Sequence, residues 1–364
     1  MLRNRRVVSL ALWSALLNSL LQPTMTPAQV RAGGEAPKVL VEADGTVDVP
    51  AHAVPISSFL SPEAKAYVTE HLKQMQDPDM TKPGDGVPLL LKPYLARDKA
   101  IFAVDRKDQK LAGVHVYVYT PNAGIAEHNK HRVLINLHGG GFSGCWPGCA
   151  ELESIPVSAL GQIQVVSVDY REGPENKFPA ASEDVASVYQ ELLKTHKPKD
   201  IGIYGCSAGG MQTAMSVAWF QTHSLPTPGA IGILCASAGG VFGGDSSYIA
   251  PPLGEARVPS PMPPSTTSLG YFRGTDPKDP LIAPLNSPEI IAKFPPTLII
   301  TGTRSFELSA AVHTHTQLVK SGVDAELHVW EGLFHGFFYN VDVPESRDAF
   351  NVIIKFFDRH LGQN

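Results

Sequence analysis

The stretch that decides the fold is Ile201-Gly202-Ile203-Tyr204-Gly205-Cys206-Ser207-Ala208-Gly209-Gly210-Met211. Ile201 to Tyr204 is a short apolar run of the kind that forms a strand covered on both faces. A helical stretch follows, Met211 to Phe220. Between them, Gly205-Cys206-Ser207-Ala208-Gly209 spells Gly-x-Ser-x-Gly at a strand-to-helix turn, the pattern of a nucleophile elbow. So tight a turn tolerates no bulk two residues before or after the serine, hence glycine at both places. Ser207 is then held at a sharp corner over a helix N-terminus, where the helix dipole favours negative charge.

The same strand signature recurs on both sides of the elbow. Val133 to Leu137, Val165 to Val168, Ile231 to Leu234 and Leu298 to Ile300 are nearly continuous apolar runs, and Leu327 to Trp330 reads as a further strand. Val114, Val116 and Val118 alternate with His115, Tyr117 and Tyr119, which predicts a half-buried antiparallel strand. Helical stretches lie between: Ser182 to His196, Glu307 to Lys320 and Arg347 to Leu361. In the first, Val185, Val188, Tyr189, Leu192 and Leu193 share one face. This alternation predicts an α/β fold, a mostly parallel sheet with helices on both faces.

Two regions break the rhythm. Residues 33–57 read as a loosely held leading segment, and Ser61 with Pro62 opens a helix to about Gln76. Residues 241–296 carry Pro259, Pro261, Pro263 and Pro264 and are too long for a simple connection. We read them as an insertion over the carboxyl ends of the strands.

Composition bounds the class. The chain has 364 residues, 43% hydrophobic and 18% charged, which suits a globular protein with a large core and excludes a disordered one. Lys+Arg 30 against Asp+Glu 35 gives a net charge of −5. That balance argues against nucleic acid or an anionic membrane surface as partner. Residues 1–32 read as a secretory signal: Arg3, Arg5 and Arg6, the apolar run Val7 to Leu21, then Ala28 and Ala32 as cleavage-type small residues. The run is short and broken for a membrane span. The expectation is a periplasmic or secreted protein with no stable membrane insertion after cleavage. Such a compartment permits disulfides. Cys145 and Cys149 share one loop, and a local disulfide or two free thiols are both open. Cys206 and Cys235 are expected to be buried free thiols. No cysteine–histidine cluster has zinc spacing, so no metal site is expected.

A second glycine-rich turn, His138-Gly139-Gly140-Gly141-Phe142, follows the strand Val133 to Leu137. Consecutive glycines let backbone N–H groups approach a ligand atom with no side chain in the way. Beside Ser207, two of these N–H groups and that of Ala208 form a set of donors for an oxyanion. His138 precedes the nucleophile and is expected to hold this loop. A serine nucleophile needs a base. His335, in Gly332-Leu333-Phe334-His335-Gly336-Phe337 after the last strand, fits the chain order serine, acid, histidine.

From about residue 95 onward the chain resembles the hormone-sensitive-lipase-like α/β-hydrolases, the bacterial family IV carboxylesterases. The resemblance rests on His138-Gly139-Gly140-Gly141, on Gly205-Cys206-Ser207-Ala208-Gly209, on Asp169-Tyr170-Arg171 with Pro174-Glu175, and on Asp279-Pro280-Leu281. It implies an eight-stranded α/β-hydrolase core, residues 96–240 and 297–364, with a cap from residues 33–95 and from the 241–296 insertion and its return loop. It implies Ser207 as nucleophile, His335 as base and the N–H groups of Gly140, Gly141 and Ala208 as oxyanion hole, with Gly139 in support. It implies no cofactor. The family usually has Asp where this chain has Ser305. A hydroxyl supplies no charge to stabilise imidazolium, and losing that charge in a related triad costs about four powers of ten in turnover. Glu307, two residues on, is the expected acid, with Ser305 supporting.

The function expected is a serine carboxylesterase for short- to medium-chain acyl esters of small molecules. An amidase or acyltransferase with the same machinery, and a degenerate hydrolase acting as a binding protein, are the alternatives. Phe59, Tyr67, Phe242 and Tyr248 are candidate walls of an apolar acyl pocket. The C-terminal helix and last strand are a candidate homodimer surface.

Overall fold

Eight strands form one sheet, and their order follows from where the apolar runs lie. They are β1 (Val104–Leu111), β2 (Val114–Pro121), β3 (Val133–Leu137), β4 (Gln164–Val168), β5 (Ile201–Cys206), β6 (Ala230–Leu234), β7 (Thr297–Gly302) and β8 (Ala325–Trp330). The spatial order is β8-β7-β6-β5-β3-β4-β2-β1. The strands from β3 onward pair in parallel; β2 pairs antiparallel with both β4 and β1. The structure is a computed structural model and describes residues 38–363 except 85, 241 and 259–269. The expected signal, 1–32, and the proline run Pro259 to Pro264 lie outside the described residues.

The chain divides after Val54. Residues 38–54 carry a short exposed hairpin pairing Leu40–Val41 with Val47–Asp48.

The helices longer than one turn are α1 (Pro62–Gln74), α2 (Lys92–Ile101), α3 (Gly148–Gly161), α4 (Ala180–Leu192), α5 (Ala208–Thr222), α6 (Ser246–Gly254), α7 (Leu308–Lys320) and α8 (Pro344–His360). Ser61 caps α1 by accepting the Ala64 N–H, with Pro62 at the first helical position. Both sheet faces are covered, and alternate strand residues divide between them. Ile135, Ile203, Ile233 and Ile299 pack with α4, α5 and α7 on one side. Leu134, Tyr204, Leu234 and Ile300 pack with α1, α3 and α8 on the other. The apolar runs are continuous because both sides of each strand are buried.

Several boundaries differ from the sequence reading, and one strand lies outside it. The helix expected over Ser182 to His196 begins at Ala180 and ends at Leu192. The core boundary drawn at residue 95 falls inside α2. Within 241–296, expected as cap insertion and return loop, Tyr271, Phe272, Ile282 and Ile291 are core residues on the α4–α5 side. The strand β1 was not anticipated: Val104–Leu111 is largely polar and exposed, an edge strand defined by its pairing with β2.

Candidate active site

Ser207 joins β5 to α5 with φ 57° and ψ −121°. A non-glycine residue rarely holds such a conformation unless its surroundings enforce it. Here they do. A Cβ on Gly205 would lie 2.1 Å from the Leu137 carbonyl oxygen, and one on Gly209 would lie 1.7 Å from the same atom. The elbow is pressed onto the end of β3, and only glycine permits that approach. The Ser207 N–H donates to the Leu234 carbonyl at 2.9 Å.

β5 and β3 are neighbours, with Gly205 opposite Leu137. The loops leaving their carboxyl ends therefore lie side by side, at the place where the chain's crossovers diverge. A Cβ on Gly139 would be 3.5 Å from that of Ser207. Gly140 has φ 125°, and a Cβ there would strike the Gly144 oxygen at 1.8 Å; Gly141 has φ 64°. His138 is buried, stacks on Tyr170 at 4.5 Å, and bonds through Nδ1 to the Gly139 oxygen at 2.7 Å. Burial pushes its imidazole down to about 4, so it is a neutral loop-holding group. The Tyr170 hydroxyl donates to the His138 carbonyl at 2.6 Å.

β7 and β8 are likewise neighbours, and bring the other two groups together. Nδ1 of His335, in the loop after β8, lies 3.0 Å from Oε2 of Glu307, in the loop after β7. Glu307 Oε1 accepts from Thr301 Oγ1 at 3.0 Å and from the Ser305 hydroxyl. Glu307 is fully buried. Burial pushes its carboxyl up, but the charge and hydrogen bond of His335, with Ser305, outweigh that and hold it below the usual range. Burial likewise pushes His335 down, and the Glu307 charge and hydrogen bond more than reverse it. The pair is built to share a positive imidazolium against a negative carboxylate. Phe306 lies against the His335 ring at 4.7 Å.

Ser207, His335 and Gly139 to Gly141 line one cavity of about 480 Å³. From α1 and the residue that caps its C-terminus, Tyr67, His71 and Met75 line it too. His71 is buried, stacks face to face on Phe334 at 3.6 Å and bonds through Nε2 to the Gly254 carbonyl at 3.0 Å. Burial pushes it down to about 4, so it is neutral and Nε2 is the donor. Of the four expected wall residues only Tyr67 lines the cavity. Phe59 is 86% exposed in the turn before α1, and Tyr248 is 48% exposed on α6. Phe242 sits edge-on to Phe306 at 5.3 Å, behind the His335 loop.

Cys145 and Cys149 are bonded, which decides the alternative the sequence left open, and both line the cavity. Cys206 and Cys235 are free and buried. Cys235, Glu307 and His335 offer ligand atoms within 4.8 Å of one another. The carboxylate and imidazole are already bonded together, and the Cys235 sulfur accepts the Gly336 N–H.

One residue escaped the sequence reading. Glu153 in α3 is buried and accepts hydrogen bonds from Asn136, Gly139, Cys206 and Tyr339. Burial lifts its carboxyl to about 7 against those four donors. The signal available was a pair of acids, Glu151 and Glu153, inside a largely apolar helix, Gly148–Gly161.

The profile of the alpha/beta hydrolase fold family matches residues 134–339, which include both glycine-rich turns, Glu307 and His335. The chain belongs to that family. It is 30% identical over 245 residues to a putative acetyl-hydrolase, LipR, of Mycobacterium tuberculosis, a match covering 66% of this chain and 75% of that one. The crystal structure of the esterase E25 superposes with a TM-score of 0.74 at 29% identity, covering 86% of this hydrolase and 98% of E25. An esterase from the bacterial hormone-sensitive lipase family shares the fold, with a TM-score of 0.69 at 24% identity over 83% of this chain and 99% of that one.

Proposed function

We propose that this carboxylic ester hydrolase cleaves short- to medium-chain acyl esters of small molecules through Ser207, His335 and Glu307. The observation that carries the reading is the 3.0 Å bond from His335 to a buried Glu307, with His335 on the same cavity wall as Ser207. With Nδ1–H donated to Glu307, Nε2 is left to take the Ser207 proton. Ser207 Oγ attacks the ester carbonyl carbon. The oxyanion is held by the N–H groups of Gly140, Gly141 and Ala208. The alcohol leaves with the proton from His335. Water, deprotonated by His335, then attacks the acyl-enzyme, and the carboxylic acid departs as Ser207 regains its hydrogen. Glu307 supplies the negative charge that the family usually takes from Asp.

We also assign a capping role to α1 and to the segment following α6, since Tyr67, Met75 and Glu255 enclose the cavity. A volume of about 480 Å³ suits a small ester. Export is supported by the apolar run Val7 to Leu21 and by the Cys145–Cys149 disulfide. Among the described residues no helix is long and apolar enough to cross a membrane.

The test is p-nitrophenol release from a series of p-nitrophenyl esters of increasing acyl length by the purified protein, beside Ser207→Ala. Turnover is expected to peak at short acyl chains and to vanish in the variant. Wild-type rates equal to those of Ser207→Ala would sink the reading. Parallel amide substrates, and an added alcohol acceptor, separate hydrolysis of esters from amidase or transferase activity.

A further inference from the structure

We propose that Glu153 is a positioning residue that holds the glycine turn, the nucleophile and the histidine loop in register. The proposal rests on the reading of Ser207 and His335 given above. One carboxylate reaches three separate segments of the site. Its Oε1 accepts the Gly139 N–H at 3.0 Å and the Tyr339 hydroxyl at 3.0 Å. Its Oε2 accepts Asn136 Nδ2 at 2.8 Å and the Cys206 N–H at 3.2 Å. The Tyr204 hydroxyl donates to its main-chain carbonyl at 3.0 Å.

Each donor is adjacent to working machinery. Gly139 opens the turn whose next two N–H groups are assigned to the oxyanion. Cys206 precedes Ser207. Tyr339 follows His335 in the same loop, and Asn136 lies near the end of β3. Since the Gly139 N–H is taken by Glu153, the turn offers a ligand the N–H groups of Gly140 and Gly141. Four donors on two oxygens demand an acceptor with four lone-pair sites and no proton, which is a carboxylate. An amide at this position presents its own N–H groups to two of the four donors. Gln cannot satisfy Cys206 and Gly139 together with Asn136 and Tyr339. Misplacing reacting groups by an ångström can lower turnover about 100-fold without touching the substrate.

The experiment compares wild type, Glu153→Gln, Tyr339→Phe and Ser207→Ala on p-nitrophenyl acetate. It also measures inhibition by an alkyl trifluoromethyl ketone, which serine converts to a tetrahedral oxyanion, and a thermal melt of each variant. Glu153→Gln is expected to lower kcat about 100-fold with KM within about twofold, and to weaken the ketone in proportion to kcat. Tyr339→Phe keeps the ring and removes one donor, and is expected to lower kcat about tenfold in the same pattern. Folded Glu153→Gln with wild-type kcat, or with a raised KM alone, overturns the proposal. If Glu153→Gln does not fold, Tyr339→Phe decides, and wild-type kcat there overturns it as well. Wild type no faster than Ser207→Ala would overturn instead the assignment of the nucleophile.

Discussion

The Ser305 hydroxyl donates its hydrogen to Oε1 of Glu307, the carboxylate whose other oxygen faces His335. Ser305, where the family resemblance leads one to expect Asp, thus supports the carboxylate two positions on. Thr301 shares that support from the end of β7. Removing the charge and removing one prop are therefore very different changes. Glu307→Gln is expected to lower kcat by roughly three to four powers of ten on a short aryl ester. Ser305→Ala, with Thr301 still donating, is expected to stay within about tenfold of wild type. Steady-state kinetics on the two purified variants checks both, and near-full turnover in Glu307→Gln refutes the assignment of the acid.

The pH profile follows from the same pair. A general base must be unprotonated, so activity rises as pH passes through the His335 value. Burial depresses that value, and the Glu307 charge overrides burial and raises it above the ordinary 6.5. The acid limb of kcat/KM is expected above that of a free histidine. In Glu307→Gln the raising charge is gone while burial remains, so the residual activity should show a limb displaced to lower pH. A limb that does not move would separate Glu307 from the base.

Asp98 offers a stability test away from the site. It is buried in α2, neither carboxylate oxygen has a partner, and burial pushes it up to about 8, with Asp342 adding to the rise. A carboxyl whose folded value is raised binds its proton in the folded state while the unfolded chain has lost it. Stability from this group is therefore fully present below about 3.8 and falls as pH rises towards 8. Asp98→Asn removes that dependence. Its melting temperature should match wild type near pH 4 and exceed it increasingly up to pH 8. The gain is at most about 1.4 kcal/mol per pH unit. Thermal melts across that range measure the difference, and a constant offset between the two proteins would contradict it.

The disulfide bears on the glycine turn. A Cβ on Gly140 would lie 2.9 Å from that of Cys145, so the turn rests on the bonded loop. Cys145→Ser with Cys149→Ser is expected to remove about 2 kcal/mol, since the closed loop is short. It should also lower kcat more than it raises KM. The same loss should appear in wild type under reductant and be absent when reductant is given to the double variant. Calorimetry and kinetics with and without dithiothreitol decide it.

What could be read from residues alone was whatever the backbone demands locally. The parallel strands announced themselves because both faces are buried, and Ser207 did so because Gly205 and Gly209 have no alternative against Leu137. His335 and Glu307 were placed by their loops and by resemblance. β1 stayed hidden because Val104–Leu111 is mostly exposed and is a strand only through its partner. α3 stayed hidden because nearly all its positions are buried, so no amphipathic stripe marks it, and Pro156 lies inside it. Glu153 was invisible for a different reason. Its four donors are at positions 136, 139, 206 and 339, and no spacing in the sequence connects them. The wall residues Phe59 and Tyr248 failed because an aromatic side chain near a cap is as easily turned to water.

The ring of His71 lies flat on Phe334, and Phe334 is the residue before His335. A helix that forms the rim of the cavity is thereby mechanically continuous with the proton acceptor. An acyl group bulky enough to lever that helix outward is expected to shift the backbone beside the imidazole with it. Size selection is then expected to show itself as lost turnover after docking, with an oversized ester acting as a competitive inhibitor of short-ester hydrolysis.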